Sequence, residues 1–465
     1  MLALITVTLL FSGCTPRADS ENHPTQAVAS PTAPSATSAN EAVPITLPVL
    51  DALFAGAGFK AELKSKLQLT DEQIASLGKI SSEAVKKLRT SNAENQPGSA
   101  EAARQNAIEA IRGVIGPDKS DQLMALAREH WNKGSEESEV AALKDAEPVM
   151  LPGPNAVPTD TRIVVNIPAF RMDVFAKGTL IKSYKVGIGY PQFPLPQGLR
   201  KAQMIIFNPT WTPPDSPWVD SMKVTPGQVI AAGSKQNPLG PIKIPIGSPS
   251  LIHGGKPLAK IGTFASHGCV GMTNAQVKDF ARVLAQASQT DLAEATMSAY
   301  LKKPTRTQVV KLSQLVPVEL RYETIVFEDG KLRIYRDVYD QNTNTEVNLR
   351  AVFAAHGAGF DELGESEKAQ VLEALNVMSS HPKKQPSPKP TPKPANDQPQ
   401  NSADRAVAAN ERKAEAARQK KLRSQKEIVV EIIKLAGKGY PGPVNLDSGT
   451  GTQIVALPTP SPNTP

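Results

Sequence analysis

Two cysteines, Cys14 and Cys269, are all that the 465 residues contain. Exported chains use cysteine in pairs, so a disulfide framework is excluded once the N-terminus is processed. Neither Cys-x-x-Cys nor His-x-x-x-His spacing occurs, which removes the common zinc-binding patterns. Aromatic residues make up only 5%, and there is no phosphate-cradling glycine loop and no base-stacking motif, which argues against a nucleic-acid partner. The apolar run from Met1 to Gly13 is too short for a permanent membrane span. Proline, in contrast, is abundant: 41 residues, too many for one compact domain, gathered towards the two ends as tethers around a folded middle.

The chemistry sits in that middle. Cys269 lies in Ser266-His267-Gly268-Cys269-Val270-Gly271-Met272, and Ile252-His253-Gly254 precedes it by 16 positions. A lone cysteine is most often a small buried hydrophobe. Two of the chain's six histidines, each beside a glycine, favour a nucleophile instead, because a nearby base makes the thiolate accessible. Glycines let the backbone bend so that amides can face a developing oxyanion. A metal site built from His253, His267 and Cys269 uses zinc ligand types but has no evident fourth ligand.

His253 followed by Ser266-His267-Gly268-Cys269 resembles the signature of the L,D-transpeptidase catalytic domain, the YkuD type. Leu195-Pro196-Gln197-Gly198, Asn237-Pro238-Leu239-Gly240, Tyr322-Glu323-Thr324 and Asp337-Val338-Tyr339 extend the likeness over residues 160 to 340. The resemblance implies that the Cys269 thiolate attacks a carbonyl of a peptidoglycan stem peptide, with His253 as general base and no metal or organic cofactor. It further implies that the Gly254 carbonyl holds the imidazole and that the amides of His267, Gly268 and Cys269 form the oxyanion hole. Ser266 and His267 then support the loop. The acyl group would pass to an amine, forming a cross-link or attaching an envelope protein to the wall. Hydrolysis by the same site is the alternative, as is a non-catalytic wall-binding module. One departure stands out: Gly271 occupies the position where the family has arginine or asparagine, which bears on substrate preference.

The expected fold class is α+β and multidomain. Residues 1–14 read as a lipoprotein-type signal ending at a lipidated Cys14, with a plain secretory signal as the alternative. Export to the periplasm follows, with membrane attachment by lipid; Thr15 permits sorting to an outer membrane where two membranes exist. Residues 15–48 form a Pro/Ser/Thr/Ala tether, and residues 49–145 a helical region in which Thr70-Asp71-Glu72-Gln73 fits a capping box. Short β-branched runs at 163–167, 172–175 and 180–186, with a Lys177-Gly178 turn, open a sheet-rich catalytic domain at 160–340. Val277 to about Leu315 looks helical. Trp211 and Trp218 line a groove or pack in a core, and His356 is structural or exposed. Residues 382–399 form a Pro/Lys linker, 403–437 a basic helix and 438–465 a disordered tail. From 382 to 427, 12 Lys and Arg face 5 Asp and Glu, a patch suited to anionic polymers or lipid headgroups. The oligomeric state is left open.

Overall fold

The computed structural model describes residues 43–91, 99–133, 149–247, 249–379, 425–432 and 439–449. The candidate leader with Cys14, most of the N-terminal tether, the Pro/Lys linker and residues 403–424 lie outside the described residues.

The N-terminal part is a helical bundle of α1 (Leu47–Phe54), α2 (Ala57–Leu67), α3 (Asp71–Ser91), α4 (Ser99–Ile115) and α5 (Pro117–Lys133). The capping box is present: the Thr70 amide donates to Gln73 Oε1 at 3.1 Å and the Gln73 amide to Thr70 Oγ1 at 3.3 Å. Leu50, Leu63, Leu77, Ile111, Leu123, Ala127 and Trp131 fill the bundle core. Burying each of the larger apolar side chains contributes about 1.5–3 kcal/mol. The expected tether stops short of residue 48. Val43 and Ile45 are buried, and Thr46 caps α1 by accepting from the Val49 amide at 3.2 Å. The average composition of 15–48 hides this local run of apolar residues.

The sheet region begins with β1 (Arg162–Asn166), β2 (Arg171–Ala176) and β3 (Thr179–Lys185), where the sequence pattern places strands. Lys177 and Gly178 both have positive φ, the geometry of a two-residue hairpin turn. There follow β4 (Ile188–Gly189), β5 (Gly198–Phe207), β6 (Ile242–Pro245), β7 (Leu251–His253), β8 (Phe264–Ser266), β9 (Val270–Gly271), α6 (Asn274–Ala287), α7 (Glu294–Leu301) and β10 (Gln308–Arg321). Eight strands form one sheet in the order β3-β2-β1-β10-β5-β6-β7-β9, and β4 pairs with β8 in parallel beside it. Helix α6 lays Val277, Phe280, Ala281 and Leu284 into the sheet core, against Ile244, Ile252 and Val270 among others. The helical expectation for 277–315 holds through α7 and fails from Gln308. There Val309, Val310 and Lys311 pair antiparallel with β5, because β-branched residues suit a pleated surface.

Beyond residue 324 a second layer forms from β11 (Ile325–Glu328), β12 (Lys331–Tyr335), α8 (Glu346–Ala355), α9 (Glu365–Met378) and β13 (Glu427–Glu431). The expected helix over 403–437 is therefore corrected at its end: Ile428, Val429 and Val430 lie in a strand antiparallel to β12. The expected disordered tail is corrected at residues 439–449, where Tyr440 and Asp447 are buried. The Asp447 amide donates to Ser183 O at 3.0 Å, and the Lys185 amide to Asp447 O at 2.9 Å, covering the outer edge of β3. His356 ends α8 with its ring 5.2 Å from Phe327. Among the described residues no helix is long and apolar enough to cross a membrane.

Candidate active site

Strands β6, β7 and β9 bring the site together. The register pairs Lys243 with His253 and His253 with Gly271. Side chains alternate along a strand. Ile244, Ile252 and Val270 are fully buried in the sheet core. Lys243, His253 and position 271 therefore form a row on the opposite face, and Cys269 stands immediately before β9.

His253 is buried, and its Nδ1 lies 2.7 Å from Gly254 O. With Nδ1–H donating to that carbonyl, the lone pair is left on Nε2. Gly254 leaves no space for a side chain, since a Cβ would lie 2.8 Å from Val277 Cγ1. Asn274 Oδ1 accepts from the Gly255 amide at 2.8 Å and fixes the loop beyond. Burial, followed by the charge of Lys256, pushes the His253 imidazole down to about 3.

Cys269 is half-buried, with Sγ 3.9 Å from Pro249 O. Burial pushes its thiol up, opposed by a Leu251 backbone hydrogen bond and by the charges of Lys256, Arg200 and Lys243. The resting pair is thus thiol and neutral imidazole. Ser266 Oγ accepts from the Cys269 amide at 2.9 Å and donates to Cys269 O at 2.5 Å, closing the turn on itself. This revises the expected oxyanion hole, because the Cys269 amide is committed to Ser266. Gly268, at φ +96°, is bonded through its carbonyl to Ser250 Oγ at 2.8 Å, and its amide makes no hydrogen bond among the described residues.

His267 turns into an aromatic box. Its ring stacks on Trp218 at 4.4 Å and meets Phe193 edge-on at 4.6 Å and Tyr190 at 5.3 Å. That arrangement holds the motif loop. Trp211 sits 6.2 Å from Trp218 in the same small core.

Three contributors escaped the sequence reading. Trp131, on α5, presses on Gly268, where a Cβ would come within 3.1 Å of its Cζ2. Arg200, on β5, is buried, donates to Gly247 O at 2.7 Å and to Trp131 O, and is pushed down to about 9 by burial, with Cys269 opposing. Lys256 lies across Gly271. Trp131 carried a signal only as an apolar helix position, and nothing local marked the two cations. Among the described residues no cluster of three or more His, Cys, Asp or Glu is placed to hold a metal.

The family model of the L,D-transpeptidase catalytic domain (YkuD) matches residues 160–310. Residues 160–310 therefore match that catalytic domain. The match covers the motif loop, the β7 histidine and the strands between them. Solved structures similar to the chain include the catalytic domain of the Enterococcus faecium L,D-transpeptidase, at 16% identity over 36% of this chain and 100% of that one, with a TM-score of 0.23. An L,D-transpeptidase from Mycobacterium tuberculosis H37Rv shows 14% identity over 35% and 57% of the two chains, with a TM-score of 0.20. L,D-transpeptidase 3 from Mycobacterium tuberculosis shows 15% identity over 35% and 60%, with a TM-score of 0.21. The chain spans less than two thirds of the length of these two mycobacterial chains. No curated protein sequence matches the chain.

Proposed function

We propose that the chain is a cysteine-dependent L,D-transpeptidase that acts on peptidoglycan stem peptides through a thioester. The observation that carries this reading is the pairing of β7 with β9, which sets His253 beside Gly271, two residues after Cys269, with His253 Nδ1 tied to Gly254 O. As Sγ attacks the donor carbonyl, His253 Nε2 takes the thiol proton. The oxyanion forms against the Gly268 amide. Collapse breaks the peptide bond, His253 returns the proton to the leaving D-amino acid, and the acyl group stays on Sγ. An acceptor amine, such as a diaminopimelate side chain, then attacks the thioester and gives its proton to His253, restoring the thiol. The acceptor joins two stem peptides or attaches a protein. We place the protein in the cell envelope, exported and anchored through Cys14.

Muropeptide tetrapeptides incubated with protein lacking residues 1–14, beside Cys269→Ala, test this by mass spectrometry. Dimers short of one D-alanine, absent from the variant, are the expected result. Shortened monomers alone point to a hydrolase, and no change with folded protein points to a wall-binding module.

A further inference from the structure

Gly271 is the one position in the cross-strand row that has no side chain, and its space is filled from elsewhere. A Cβ on Gly271 would lie 2.8 Å from Lys256 Cγ, 3.0 Å from Cε and 3.3 Å from Cδ. Lys256 follows β7 by three residues, and its amide donates to Met272 O at 3.0 Å, which pins the start of the side chain beside β9. The stem therefore runs along the face of the sheet that carries His253 and position 271. No carboxylate pairs with Lys256 among the described residues.

The charged surroundings have one sign. The groups acting on Cys269 are Lys256, Arg200 from β5 and Lys243 from β6, with the neutral His253 beside them. The groups acting on Lys256 are Cys269, which favours its charge, and Lys260, which opposes it, while burial lowers its pKa. Lys260 is itself held over the Tyr190 ring at 5.6 Å. A half-buried ammonium beside a thiol, with no acidic partner, opposes the burial that disfavours the thiolate.

We propose that Lys256, lying in the space left by Gly271, is the positioning cation that steadies the Cys269 thiolate as His253 takes its proton. The missing side chain at 271 is thus what admits the ammonium, and the charge is delivered from the β7 loop instead of from β9. The inference rests on the assignment of Cys269 as the nucleophile but not on the identity of the acceptor.

The test reads the thiol directly. The full chain is alkylated with iodoacetamide across pH 5 to 10, and the Cys269 peptide is followed by mass spectrometry, which separates it from Cys14. Lys256→Met is expected to raise the midpoint by about one pH unit and to slow alkylation at pH 7 about tenfold. Lys256→Arg should retain the wild-type midpoint. The relocation variant Lys256→Ala/Gly271→Arg, which puts a cation into the same space from the other strand, should restore it. An unchanged midpoint in folded Lys256→Met overturns the proposal. So does a raised midpoint that neither Lys256→Arg nor the relocation variant corrects, since the effect is then one of packing. Loss of transpeptidation with the alkylation pattern intact would count against the proposed activity and leave the role of Lys256 standing.

Discussion

The indole of Trp131 lies against Gly268, the residue before Cys269, so closely that a methyl group there would sit 3.1 Å from its ring. The same residue donates from Nε1 to Pro194 O at 3.0 Å, and its carbonyl receives Arg200. The helical bundle thereby forms one wall of the catalytic loop. Trp131→Ala should cost about 3–5 kcal/mol of stability, because it empties a fully buried site. It should also slow acylation of Cys269, since Gly268 loses its backing and Arg200 a partner. Denaturant unfolding and acylation by a carbapenem-type inhibitor, measured on the same preparation, check both. Trp131→Phe, which keeps most of the volume and loses the Nε1 bond, should fall between.

Ser266 holds both ends of the Cys269 peptide unit. Ser266→Ala removes both bonds and is expected to lower kcat by about tenfold or more, with KM less affected, because two bonds each contribute about 0.5–1.5 kcal/mol to loop geometry. Steady-state kinetics separates this from lost substrate binding, which would appear in KM alone.

The pH dependence follows from the buried base. The His253 pKa falls from an ordinary value near 6.5 to about 3, so the folded protein keeps the imidazole neutral where the unfolded chain would bind a proton. The stability this confers is present above pH 6.5 and is lost as pH drops towards 3. The acid limb of kcat/KM should accordingly lie well below 6.5. Unfolding free energies between pH 4 and 7 should fall less steeply in His253→Gln than in wild type. Equal slopes would refute the assignment.

Asp51 carries the opposite sign. It sits in α1, buried and hydrogen-bonded to Ser216, and burial raises its pKa to about 6, with Asp215 adding to the rise. A raised folded pKa means that the contact is strongest below pH 3.8 and weakens as pH climbs through 6. Asp51→Asn, which keeps the shape without the charge, should be more stable than wild type at pH 7.5 and show no such advantage at pH 4.5. Thermal unfolding at the two pH values decides it.

The motif loop around Cys269, the strands of the β1–β3 meander and the α3 cap were legible in the sequence because each has a local signature: glycines beside Cys269 and His253, β-branched runs in 163–186, a capping pair at Thr70 and Gln73. What escaped depends on contacts between distant residues. Lys256 matters only because Gly271 is empty across the strand pair. Arg200 reads as one cation among 52 until Trp131, 69 residues earlier, offers its carbonyl. The β13 strand was mistaken for helix because its partner, β12, lies nearly a hundred residues upstream and no local pattern announces it. The bond from the Cys269 amide to Ser266 Oγ likewise belongs to the folded loop and has no local pattern.

The cover that residues 444–447 place on β3 has a consequence for a shortened chain. Ser183 and Lys185 take backbone partners from Val444 and Asp447, and Gln276 Nε2 donates to Asp447 O at 2.9 Å. These partners come from far along the chain, Val444 lying 261 residues after Ser183. Without them, β3 keeps an open edge able to pair with any passing strand. The edge of the sheet that carries Cys269 is thus closed by a segment remote in sequence, and a chain cut before residue 444 is left with an unguarded, aggregation-prone margin.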